Sequence, residues 1–218
     1  MGMTATIQIE EKGKLYKQTI LGIDPGTNLL GYGVIIVEHK SVRMQAMGVI
    51  DLRKCNDVYV KLGRIYERVY GIIESFSPDV VAIESPFFGK NVQSMLKLGR
   101  AQGVAIAAAI CQGTPIHEYA PLKIKQAITG QGTADKQQVA AVLQKILRIA
   151  PEKMLPYADA TDALAAAYCH YLQNNSPASR IITQSHHYST NSWKAFAETH
   201  QERISKSSIA TAKRLQLD

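Results

Sequence analysis

The chain has 218 residues, 46% of them hydrophobic, enough for one sizeable core and short for two full domains of ordinary size. Its 25 Lys and Arg outnumber 18 Asp and Glu, leaving a formal charge of +7. That balance favours a polyanionic partner, although ribosomal and membrane-surface proteins share it.

Residues 1–18 are polar and weakly patterned and read as an N-terminal extension with no apolar block of the kind a signal peptide needs. The first strong element spans residues 19–23 and runs into the turn Asp24-Pro25-Gly26-Thr27. Residues 31–38, with Val34-Ile35-Ile36-Val37, predict a second strand, and residues 44–52 a third, giving an antiparallel meander. Val58, Leu62, Ile65, Val69 and Ile72 recur at helical spacing, and Pro78 ends that helix. Residues 79–84 read as a strand buried on both faces, as parallel strands are.

Residues 91–111 predict a helix that becomes rich in small residues: Ala101, Gly103, Ala105, Ala107, Ala108 and Ala109. Its apolar run is broken by Cys111, Gln112 and Gly113 and falls short of a membrane span. A strand at 115–119 follows, then helical stretches at 122–129 and 134–149 separated by Gly130-Gln131-Gly132, and a last core helix at 159–172. Beyond Asn174 the composition shifts to Ser, Thr, His and Asn, which predicts a flexible tail over 174–218. Cys55, Cys111 and Cys169 are odd in number and lack zinc or redox spacing, which fits a reduced, cytoplasmic setting. Alternating strands and helices give an α/β sheet flanked by helices.

Three acidic signatures sit where apolar elements begin or end. Asp24 closes a strand, where it either caps its Pro-Gly turn or points into a cleft able to bridge hard cations. Glu84 follows Val80-Val81-Ala82-Ile83, at a rim where an unpartnered carboxylate is costly; a capped strand end is the plainer alternative. Asp159 and Asp162 stand three apart before an alanine-rich helix, either as an N-cap with its first-turn acid or as two carboxylates on one helical face. Four converging carboxylates would repel one another until metal or protons relieve them, and oxygen ligands select magnesium or manganese over zinc. His117, His170 and the His186-His187 pair have no metal spacing and read as packing or surface residues.

The motifs Gly22-Ile23-Asp24-Pro25-Gly26-Thr27, Gly31-Tyr32-Gly33-Val34, Ala82-Ile83-Glu84, Leu96-Lys97-Leu98-Gly99, Gly103-Val104-Ala105 and Ala158-Asp159-Ala160-Thr161-Asp162-Ala163 carry a specific resemblance. Over residues 20–172 the chain resembles the RuvC family of Holliday junction resolvases, within the ribonuclease H-like nucleases. The resemblance implies a ribonuclease H-like mixed sheet flanked by helices, in a nuclease domain at 19–173. It implies catalytic and metal-ligating roles for Asp24, Glu84, Asp159 and Asp162, with two Mg2+ ions per site, for which Mn2+ can substitute. It also implies a homodimer that nicks four-way junction DNA symmetrically, working with the RuvA and RuvB branch-migration proteins and with no membrane.

The resemblance further places Phe87 where relatives insert an aromatic at the junction, beside Phe88, and matches Lys90, Lys125 and Lys136 to DNA-facing positions. Any one of these lysines could equally be a solvated helix face. Pro86 departs from some relatives, and the extension and tail lie outside the match. Three rivals stay open. An actin-like or sugar-kinase-like ATPase shares the Gly-Ile-Asp-x-Gly-Thr loop but needs two duplicated domains, and no repeat is present. The others are a RuvC-like nuclease acting on RNA and a junction-binding protein without catalysis.

Overall fold

The computed structural model describes residues 17–39, 41–86 and 91–175. Two runs of apolar and β-branched residues form the antiparallel pair β1 (Lys17–Asp24) and β2 (Leu29–Glu38), with Gly22 opposite Gly33 and Asp24 opposite Gly31. β3 (Ser41–Asp51) continues the meander, with a register shift at Val34/Ile35. α1 (Val58–Phe76) starts where Asp57 accepts hydrogen bonds from the Tyr59 and Val60 amides, and it stops at Ser77, whose φ of 43° precedes Pro78. β4 (Val80–Glu84) then lies parallel to β1.

α2 (Val92–Cys111), capped by Asn91, leads to β5 (Ile116–Tyr119), which pairs parallel with β4 and completes the sheet order β3-β2-β1-β4-β5. α3 (Pro121–Thr129), α4 (Lys136–Ile146), a 3-10 turn (Pro151–Lys153) and α5 (Ala158–Asn174) follow. This is the α/β mixed sheet flanked by helices that the sequence predicts.

Side-chain alternation divides the core. Leu21, Ile23, Val81 and Ile83 face α1 and α2, whereas Ile20, Val80 and Ala82 face α5 and its neighbours α3 and α4. α5 is alanine-rich nearly all round and lies buried on the sheet, as a helix without a polar stripe must. In its last turns His170, 1% exposed, stands 2.7 Å from the Tyr119 hydroxyl through Nδ1 and 2.8 Å from the Asn174 side-chain amide nitrogen through Nε2. Both ring nitrogens are thereby hydrogen-bonded inside the core, which suits the neutral imidazole that burial favours.

Several boundaries differ from the sequence expectation for local reasons. β1 takes in Lys17 and Gln18 because Glu38 and Val37 pair with them, so the last two residues of the expected extension are sheet. α4 is shorter than the predicted 134–149: Asp135 and Gln138 form a capping box at one end, and Arg148, with φ 52°, breaks the other. Asn174, assigned to the tail, is helical. The rest of the extension and residues 176–218, with His186 and His187, lie outside the described residues.

Candidate active site

Asp24 and Glu84 are the last residues of β1 and β4, and the parallel register that sets Ile23 beside Ile83 brings them side by side. Since Ile23 and Ile83 both face α1 and α2, the two carboxylates project to the opposite side, toward α5. There the N-terminal turns of α5 supply Asp159 and Asp162. The capping residue is Tyr157, with no side-chain cap, so neither aspartate is the N-cap. Asp159 is the second helical residue and Asp162 lies a turn further in, on the same face.

Glycines let α5 come this close. A Cβ on Gly31, the cross-strand partner of Asp24, would stand 1.9 Å from the Asp159 carbonyl oxygen. On Gly22 it would stand 1.9 Å from the Ala163 carbonyl oxygen, and on Gly33 2.7 Å from the Leu164 Cα. Any side chain at these positions would lift the acidic end of α5 off the strands. Sequence reasoning missed this role; the signal available was the spacing of Gly22, Gly31 and Gly33 in paired strands facing a small-residue helix.

The electrostatics register the convergence. The Asp24 carboxyl is pushed up to about 8, first by burial and then by Glu84, Asp162 and Asp159, against an opposing pull from Lys136. Glu84 is pushed up to about 7, again by burial first and then by Asp162, with Lys136 and Lys125 opposing. Lys136 forms an ion pair with Asp162. Burial disfavours the charge on Lys136, but that bond and the nearby Asp24 and Asp159 hold it above the usual lysine value.

Among the described residues no three His, Cys, Asp or Glu side chains already stand as a closed metal-binding group. What the fold supplies is proximity: Asp24 feels the charge of all three other acids. Desolvated oxygen donors in mutual repulsion are a chemical fit for a hard divalent cation. Glu84, Lys125, Lys136 and Asp162 share a small cleft of about 40 Å³. A second cleft of about 170 Å³ is lined by Asp24, Pro25, Glu84, Ser85, Pro86 and Leu98.

The structure therefore gathers six of the eight expected site residues: Asp24, Glu84, Asp159, Asp162, Lys125 and Lys136. Phe87 and Lys90, with Phe88, lie outside the described residues. A support absent from the sequence reading stands behind Glu84. The buried Gln102 donates to Glu118 at 2.8 Å and the Ser85 hydroxyl reaches the same carboxylate at 3.4 Å. These bonds tie the segment leaving β4 to α2 and β5.

Comparison with known proteins places these features in a lineage. The family model described as crossover junction endodeoxyribonuclease RuvC matches residues 20–170. The chain is 53% identical over 188 residues to the crossover junction endodeoxyribonuclease RuvC of Porphyromonas gingivalis, covering 86% of this chain and 97% of that one. With the Bacteroides fragilis protein of the same name it is 57% identical, covering 86% and 96%. The Thermus thermophilus RuvC structure superposes with a TM-score of 0.64 at 35% identity, covering 71% of this chain and 94% of that one. The same protein in complex with Holliday junction substrate gives 0.63 at 32% identity over the same shares.

Proposed function

The chain belongs to the RuvC family of crossover junction endodeoxyribonucleases, and from that premise we propose that it resolves four-way DNA junctions by metal-dependent phosphodiester hydrolysis. One observation carries the reading at residue level: the β1–β4 register and the seating of α5 direct Asp24, Glu84, Asp159 and Asp162 to one end of the sheet. These four are the ligands for divalent metal, Mg2+ with Mn2+ able to substitute, and two ions are expected. When bound, such ions supply activation of water on one side of the scissile phosphate and charge stabilisation of the leaving 3′ oxygen on the other.

The protein's own groups prepare that site. Asp24 and Glu84 bring oxygen donors that burial has stripped of water, and Asp159 and Asp162 close the opposite wall. Lys125 and Lys136 offset the acids, without which a phosphate backbone would be repelled from the cleft. Lys136 also fixes the Asp162 carboxylate by its ion pair. Phe87 and Lys90 follow Glu84 closely in sequence and are proposed to meet the junction centre and its backbone.

Paired nicking needs two active sites, and α2 offers a surface for a homodimer. Its outward residues Leu96, Gly99, Gly103, Ala107 and Ile110 are exposed and small or apolar, with Arg100 at the edge of the stripe. Partnership with the RuvA and RuvB branch-migration proteins and a cytoplasmic location complete the proposal. No helix among the described residues is long and apolar enough to cross a membrane.

A labelled four-way junction and a matched linear duplex, each incubated with and without magnesium, test the reading. Symmetric, magnesium-dependent cleavage of the junction alone is expected, leaving ligatable 5′-phosphate ends. Asp24→Asn and Glu84→Gln should lower cleavage by at least 100-fold while junction binding persists, because backbone contacts remain. Robust cleavage by both variants would reject the site assignment, and nucleotide hydrolysis without DNA would revive the ATPase alternative.

A further inference from the structure

A groove of about 430 Å³ opens between α1, α2 and the β1–β2 turn, on the side of Asp24 away from α4. Its walls include Thr27 and Asn28, three residues or so beyond Asp24, and three cations, Lys61, Lys97 and Arg100. Among the described residues no acidic side chain lines it. Leu98 lines this groove and also the cleft that contains Asp24 and Glu84, so the two depressions share a wall.

The cations differ in how they are held. Lys61 is fixed: its ammonium donates to the Thr27 carbonyl at 2.9 Å and to Asn28 Oδ1 at 3.3 Å, leaving one of three N–H groups to face the groove. Lys97 and Arg100 are exposed and form no ion pair among the described residues. One anchored and two extended cations in an acid-free trough suit a chain of phosphates better than a single small anion. The shared Leu98 wall sets the trough beside the carboxylate site.

We propose that this groove holds the phosphodiester backbone of the cut strand on one side of the scissile phosphate, with Lys97, Arg100 and Lys61 as its phosphate contacts. The assignment rests on the junction-cleavage reading and extends it to residues on the opposite face of the sheet from Lys125 and Lys136. These residues act by positioning the strand, since they lie beside the carboxylates rather than among them.

The test measures binding of the full-length chain to a fluorescent four-way junction in EDTA, across a salt series, for wild type, Lys97→Ala/Arg100→Ala and the charge-keeping Lys97→Arg/Arg100→Lys. Loss of two phosphate contacts should weaken binding about tenfold or more at low salt and reduce the slope of log affinity against log salt by about 1–2. The charge-keeping pair should restore both. The two positions are exposed, so melting temperatures should match. Neutral methylphosphonate linkages placed singly along the strand should find one flank of the cut where wild type loses affinity and the alanine pair loses no more. An unchanged salt slope in the alanine pair, or additive losses at every linkage, would overturn the groove alone. A wild-type protein that neither binds nor cleaves the junction would overturn the underlying function and the groove with it.

Discussion

Asp24 is a carboxylate kept from its ordinary ionisation by burial and by three like-charged neighbours. Without divalent metal, its charge is a cost to the fold rather than a support. Asp24→Asn should therefore raise stability by about 1–3 kcal/mol at pH 9 in EDTA, as read by thermal denaturation, even as it removes cleavage. A lower melting temperature for the variant would contradict this. His170 sets an opposite dependence. Burial, followed by the nearby His117, pulls its imidazole down to about 4 from an ordinary 6.5. Between those values the unfolded chain takes up a proton that the folded chain refuses, so stability is complete above about pH 6.5 and falls as pH drops toward 4. Asp24 and Glu84 contribute with the other sign in part of that window, so the measurement is a difference. Wild type should lose about 1–3 kcal/mol more than His170→Gln between pH 7 and pH 4.5. Parallel stability curves would show that His170 does not titrate with unfolding.

At the scale of elements, the contact between α5 and the β1–β2 pair decides whether the site exists. Gly31 shows how little room there is, since a Cβ would meet the backbone of Asp159 itself. Backbone cannot swing aside as a flexible side chain can, so Gly31→Ala must displace the first turn of α5. A stability loss of about 1–3 kcal/mol is expected, with cleavage falling by more than tenfold at magnesium concentrations that saturate wild type. Recovery of part of that activity at higher magnesium would identify displaced ligands, whereas wild-type activity at all concentrations would show that α5 need not sit where it does. Gly99 and Gly103 of α2 are the contrast: among the described residues a Cβ there meets nothing within 4 Å.

That open space on α2 gives the prediction for the whole molecule. A helix whose outer face keeps glycines with no neighbour among the described residues carries a propensity cost of about 1 kcal/mol at each, which close approach by a second helix would offset. Gly103→Arg should leave the monomer folded and shift a homodimer to monomer in light scattering at micromolar concentration. It should also convert paired nicks into single nicks. A monomeric wild type, or a variant that stays dimeric, would place the interface elsewhere.

The sequence by itself determined the elements and the identities of the acids. Hydrophobic runs, helical spacing and the punctuation at Pro25, Pro78 and Gly130 are local signals, and they yielded strands, helices and the positions of Asp24, Glu84, Asp159 and Asp162 at element ends. Boundaries such as Lys17 or Arg148 escaped because a cross-strand partner or a single left-handed residue set them. Tertiary structure alone decided which of the open readings applied. Whether Asp159 caps a helix or faces Asp24 depends on the β1–β4 register and on Gly22, Gly31 and Gly33 admitting α5, relations between residues 60 or more positions apart. The same holds for Lys61, Lys97 and Arg100, which sit on two separate helices in the sequence and become one groove only when α1 and α2 pack together beside the β1–β2 turn. Local chemistry is written in the order of residues, whereas a site is made by what folding brings to that chemistry from elsewhere in the chain.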